Sequence, residues 1–271
     1  MKDLEQKEKI IGPPNFHDRH NLTLPPTKSI LQHQLEDLVS FTRNQSMVIN
    51  HKKTKAMPFI NSAGRDFMPQ LTLNGVDFLE VIHETKLVGM VISHDMKWDE
   101  HINYTVARVN KIQWQLTRFK QTGIERDKLV TFYTLKIRSI LMFGAVCYHS
   151  ALTQELRDTL ELQQKRSLAI TLGSDYTSYG QALALTGLQD LESLREAACL
   201  KWARKAAASR QHGHLFPPNP STTNTRGRKE VLEYQCKSTR YFNSAVPAMA
   251  RALNREGLWP AGSRGAPNYS A

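Results

Sequence analysis

Catalysis needs particular side chains at particular spacings, and this chain of 271 residues offers few such arrangements. Ten histidines invite metal or acid–base chemistry. Most are scattered along polar stretches, and the close pair, His212 and His214, falls in a segment rich in Pro, Ser, Thr and Asn. No HExxH helix is present, and no HxD pair opens an iron-binding triad. The three cysteines (Cys147, Cys199 and Cys236) lie far apart without a CxxC. That spacing argues against a structural zinc site, and the odd count argues against a disulfide framework. The sequence also lacks a GxSxG elbow, a Walker-type phosphate loop and a GxGxxG turn. Two-metal phosphoryl transfer needs carboxylates converging on ions about 3.5–4 Å apart, often from adjacent aspartates. The chain has no Asp-Asp pair. Its nearest approach is Asp99-Glu100 at the start of a helix, where negative charge also suits the helix dipole. By itself the chain is expected to carry no nucleotidyl-transfer activity.

What it does carry is positive charge. Lys and Arg number 36 against 25 Asp and Glu, a formal net charge of +11. Clustered cations gain affinity for polyanions by releasing counterions from phosphates, so a nucleic-acid partner is expected, against the alternative of a merely solvated basic surface. One long helix holds Arg108, Lys111, Arg118 and Lys120, with Trp114 among them. Lys136 and Arg138 follow on a second helix, and Lys165 and Arg166 on a third. Cations on helices beside a small sheet suit a groove that tracks a phosphate backbone.

These residues must be positioned by an α+β chain, with a small antiparallel sheet after one helix and a mainly helical second half. Residues 1–27, with Pro13-Pro14 and Pro25-Pro26, read as an extended lead-in. From Lys28, the apolar positions Ile30, Leu31, Leu35, Leu38 and Phe41 mark one helical face. Strand signals follow at residues 47–50 and 54–60, then a polar gap near residues 62–66. A hairpin is expected about Asn74-Gly75, and KLVGMVIS (residues 86–93) reads as a short buried strand. After Trp98 the pattern is helical. Ile102, Val106, Val109, Ile112, Leu116 and Phe119 line one face until Gly123. The second helix points Leu129, Phe132, Leu135, Ile140 and Phe143 inward, and the third starts at the N-cap Thr153. The domain division is a palm-like part at 28–97, helices at 98–208, a basic linker and final helix at 209–254, and a loose tail at 255–271. The longest strongly apolar stretch, residues 140–148, is too short for a bilayer that needs about 20 residues. The start, MKDLEQKEK, lacks a secretory apolar region. No membrane or secreted setting is expected; the cytoplasm or nucleus is.

The ordered series FTRNQSMVINHKKTKAMPF, PQLTLNG and FLEVIHETKLVGMVISHDMKWDEHI resembles non-LTR retrotransposon reverse transcriptases, in the stretch that follows their catalytic aspartates. FYTLKIRSIL, YHSALTQELRDTLELQQKRSLAITLGSDYTSY, AACLKWARKA and RYFNSAVPAMARALN continue the likeness over residues 12–254. The resemblance implies an RNA-directed DNA polymerase fragment. INHKKTK looks like motif D, whose lysine, here Lys53 or Lys55, would sit near nucleotide phosphates as charge or proton donor. The plain alternative is two lysines flanking a strand. KLVG looks like the primer grip of motif E, which gives Lys86, Leu87 and Gly89 a role at the primer backbone. Its glycine would admit a close approach, or else mark a bulge. Val88 stands where the family more often has leucine. The helices after Trp98 correspond to the thumb, with Trp98 as a core anchor.

The family's aromatic-x-Asp-Asp segment would precede Lys28 and is absent, so no catalytic residue and no metal site is assigned. Fingers and palm would lie upstream, and Mg²⁺ is expected only with an intact polymerase. RNA or an RNA–DNA hybrid is the expected partner, with no small-molecule cofactor. The alternatives are a stand-alone nucleic-acid-binding protein without catalysis, or a retroelement relic. The stretch from Lys86 through the first thumb helix also resembles a segment named for AlkB-type dioxygenases, but no iron triad can be assembled from these residues.

Overall fold

The computed structural model describes residues 28–59, 70–73, 75, 77–220 and 230–256. The expected lead-in, the polar gap near residues 62–66, linker residues 221–229 and tail residues 257–271 lie outside the described residues. The chain divides into two compact units, one ending at His83 and one beginning at Glu84. The switch in periodicity at Trp98 places the boundary at 97/98 instead. The difference is the hairpin at 84–93, which packs with the helices because the Val91 N–H donates to His101 Nδ1 at 3.3 Å.

In the first unit, α1 (Lys28–Asn44) is followed by a 3-10 turn at His51–Lys53, capped by the Asn50 side chain. Residues 47–50, expected as a strand, run without a ladder. β1 (Lys55–Ala56) pairs in parallel with β4 (Glu80–Val81), and β2 (Thr72–Leu73) pairs antiparallel with β3 (Asp77–Phe78). Gly75 turns the latter hairpin at φ +74°, a conformation that costs glycine little. Gln32 of α1 holds both backbone groups of Thr72. Its Oε1 accepts from the Thr72 N–H, and its Nε2 donates to the Thr72 carbonyl, each at 2.9 Å.

The second unit opens with β5 (Glu84–Leu87) and β6 (Met90–Ser93), an antiparallel hairpin. The expected single buried strand is therefore two strands with a turn at Val88-Gly89. Both turn residues have positive φ, +48° and +86°, the pattern of a tight type I′ connection. Glycine suits that backbone, whereas a β-branched valine is strained by it. Val88 is also 82% exposed, so it is a turn tip and not a core residue.

The helices follow: α2 (Asp99–Gln121), α3 (Arg126–Phe132), a π-helical segment Tyr133–Arg138, α4 (Ser139–Leu141) and α5 (Ala145–Tyr148). Then come α6 (Gln154–Leu172), α7 (Tyr179–Thr186), α8 (Leu191–Ala207), α9 (Thr239–Phe242) and α10 (Ala245–Glu256). Thr153 caps α6 through its hydroxyl, as its position before Glu155 implies. Leu129, Tyr133, Ile137 and Leu141 are fully buried at steady four-residue spacing. The widened π turn keeps that spacing on one face, because it bonds i→i+5. Consequently Leu135 and Phe143, expected inward, are exposed.

Two larger cores form. One gathers α2, α3, the π segment and α6 around Ile102, Val109, Leu116, Tyr133 and Leu160. Trp98 packs at its edge, its ring 5.9 Å from His101 and 5.8 Å from Tyr148. The other joins α8 and α10 to Phe216 and Val231, around Cys199, Ala203, Met249 and Leu253. Asn254 of α10 secures it by accepting from the Val231 N–H and donating to the Val231 carbonyl, each at 3.0 Å. Two buried glutamines link helices through their side chains. Gln113 of α2 donates to the Gln163 carbonyl and Ser167, while Gln164 links Tyr133, Tyr179 and the Gln189 carbonyl.

Candidate nucleic-acid interface

The buried face of α2 runs through Ile102, Thr105, Val109, Gln113 and Leu116. With about 100° of rotation per residue, the opposite face carries Tyr104, Arg108, Lys111, Gln115 and Arg118. From His101 to Gln121 the helix has no acidic residue. The nearest carboxylate on that face is Glu100, one turn before Tyr104. Spaced 1.5 Å per residue, the row from Tyr104 to Arg118 extends about 21 Å.

Lys86 on β5 joins this row from outside the helix. Its Nζ bonds the Tyr104 hydroxyl and lies 4.5 Å from the centre of the ring. The Arg108 guanidinium sits 5.6 Å from the same ring. Hydrogen bonding from Lys86, aided by the charges of Lys86, Arg108 and Lys111, holds the Tyr104 phenol below its ordinary value. Farther along, the Arg118 guanidinium lies 5.2 Å from the Trp114 ring, whose residue is 62% exposed. Four cations and two aromatic rings thus share one edge of the second unit.

The remaining expected residues divide differently. Lys120 is two positions beyond Arg118, about 200° around the helix, and points inward. Its Nζ donates to the Thr171 carbonyl at 2.9 Å near the C-terminal end of α6. This overturns its assignment to the binding face, since it serves a helix end where carbonyls lack intrahelical donors. Lys165 is half-buried and lies 5.1 Å from the Tyr179 ring, while its neighbour Arg166 is exposed. Lys136 is exposed on the π segment and Arg138 half-buried there. In the first unit, Lys53 is exposed at the end of the 3-10 turn, and Lys55 pairs with Glu80 across the parallel ladder. Leu87 is exposed beside the turn. Gly89 lies in that turn and not in a strand; a Cβ there would meet the Phe143 ring at 3.1 Å. Tyr104 is the participant that sequence reasoning missed. Its four-residue offset from Arg108 was available, but its meeting with Lys86 depends on the hairpin folding back.

A separate cleft of about 570 Å³ lies between α8 and α10 and is lined by His149, Arg157, Cys199, Asn243, Arg251 and Arg255. His149 is buried and accepts on Nδ1 from Arg195 Nε at 3.4 Å. Burial, with the Arg195 and Arg157 charges, pushes its pKa down to about 4. The Arg157 guanidinium is engaged by Glu192 at 2.6 Å. Among the described residues, no group of three or more His, Cys, Asp or Glu side chains is arranged to hold a metal ion. No single helix among them is long and apolar enough to cross a membrane.

The chain matches no family model, no curated protein and no solved structure.

Proposed function

We propose that the chain grips nucleic acid by its backbone through Lys86, Arg108, Lys111 and Arg118, as the template–primer-holding part of an RNA-directed DNA polymerase in the cytoplasm or nucleus. The observation that carries the reading is the α2 face: a basic row free of carboxylates over its length from His101 to Gln121. Cations in a row about 21 Å long match the spacing of about six phosphates in a stacked strand. The ordered likeness to non-LTR reverse transcriptases supplies the polymerase assignment, with RNA–DNA hybrid as the ligand. No residue of the chain is proposed as catalytic. Stand-alone binding without catalysis is the second reading, favoured by the packed cores that the described residues of the second unit build.

Titration of a labelled RNA–DNA hybrid against salt tests the grip. Four phosphate contacts predict a slope of log affinity on log salt between about −2.8 and −3.6, or roughly 50- to 150-fold between 50 and 200 mM. The double variant Arg108→Ala, Lys111→Ala should cut that slope by about half. A flat salt response, or an unchanged slope in the variant, would overturn the reading. Supplying a reverse-transcriptase palm that carries the family's aspartates, as a separate polypeptide, tests the polymerase assignment. Primer extension only in the mixture supports it, and none in either case favours stand-alone binding.

A further inference from the structure

The basic row on α2 contains one residue that phosphate contacts do not explain. Trp114 projects beside Lys111 and Arg118 with 62% of its surface in solvent. Tryptophan is highly buried on average, and two other tryptophans here obey that rule. Trp98 packs on His101 and Tyr148, and Trp202 on His212 and Phe216. Trp114 has no aromatic neighbour among the described residues. What touches it is the Arg118 guanidinium, 5.2 Å from its ring. A cation held over one tryptophan orients the indole and adds attraction for a stacked π-system.

We propose that Trp114, steadied by Arg118, is a stacking platform for an unpaired base, so that this face prefers a nucleic acid whose duplex continues into a single-stranded tail. The inference rests on the nucleic-acid reading above and adds which form of the ligand is chosen. Bases inside a duplex are covered on both faces by their neighbours, whereas a base in a tail has a face to offer. Stacking also tolerates any sequence, since every base has a π-face. Lys111, one turn before Trp114, and Arg118, one turn after, hold the duplex backbone beside that base. Lys86 and Arg108 hold it at the other end of the row, so the tail adds the stacking contact alone.

The test uses the full chain, a short blunt RNA–DNA hybrid, and the same hybrid bearing a single-stranded oligouridine or, in a parallel arm, oligothymidine tail. Wild type should bind the tailed forms between about five-fold and about a hundred-fold more tightly. Trp114→Ala should abolish that advantage without altering the salt slope on the blunt hybrid, and Trp114→Phe should keep most of it. Equal affinity of wild type for blunt and tailed hybrids, or a tail preference that survives in Trp114→Ala, would overturn the inference while leaving the grip intact. Absence of salt-sensitive binding to any of these ligands would overturn both. A thermal melt by circular dichroism checks that the outward-facing substitution leaves the fold unchanged. Should Trp114→Ala melt early, Arg118→Gln and Trp114→Phe decide the question by the same comparison of tails.

Discussion

The described residues up to His83 and those from Glu84 onward are held by different means. In the first unit, the buried apolar side chains among the described residues are Leu73 and Leu79, and the strands are two-residue ladders. Its α1 leaves Ile30, Leu38 and Phe41 exposed and reaches the sheet through the Gln32 amide. In the second unit, long helices share continuous apolar cores, and the buried amides of Gln113 and Gln164 find partners across them. Two-stranded ladders are marginal by themselves, whereas a packed helical core holds without them. Amphipathic periodicity alone does not say whether a helix has a partner; α1 and α2 have the same pattern and different fates.

Core truncation is the sharpest way to break this contrast. Leu160→Ala, at a fully buried site, should cost about 2–5 kcal/mol. Leu38→Ala, at a position 51% exposed, should stay within about 0.5 kcal/mol. Urea unfolding followed by circular dichroism measures both, and similar losses at the two sites would erase the distinction.

Acid should find the second unit through His149. Its ordinary pKa of 6.5 falls to about 4 in the folded chain. Above pH 6.5 the imidazole is neutral in both states and its contribution is complete. As pH drops from 6.5 toward 4, the unfolded chain takes up the proton first and stability declines, by at most about 3 kcal/mol. Arg195 and Arg157 press in that direction, and Glu192 opposes them. Thermal melts of His149→Gln should show a shallower decline across the same window. An equally steep decline would assign the acid sensitivity elsewhere.

A smaller effect is expected at the hairpin tip that opens the second unit. Val88 holds φ +48°, a conformation that costs a side-chain-bearing residue roughly 1–2 kcal/mol. Val88→Gly should therefore raise the melting temperature slightly, whereas Gly89→Ala should lower it, through both its φ and the Phe143 ring. A fall in melting temperature for Val88→Gly would mean that the valine makes a compensating contact.

Much of the helical half was legible. α2 has a clear apolar stripe, α6 a capping threonine at Thr153, and Gly123 and Gly173 stop the two helices, all of them local signals. The α+β class followed from the switch in periodicity near Trp98. The π segment was not legible, because an i→i+5 turn leaves no repeating signature; Leu135 and Phe143 were misplaced for that reason. Lys120 was misplaced for a simpler one. Counting cations along a helix ignores rotation, and two residues reverse the face. The pairing of Lys86 with Tyr104 spans a hairpin and a helix, so it belongs to tertiary structure and had no local trace. Val88 misled because an apolar residue between apolar neighbours reads as strand interior, even where the chain turns.

Asn254 gives the second core a chemical clock. Its amide imitates a peptide group, accepting from and donating to Val231, and it also donates to Glu233 Oε1 at 3.1 Å. Hydrolytic loss of that amide nitrogen would leave a carboxylate, which accepts but does not donate. The contact with Glu233 would change from a hydrogen bond into a like-charge encounter, and the Val231 carbonyl would lose its donor. Deamidation at one position of α10 would thus age the edge of this core, at a site where no surface charge map would draw the eye.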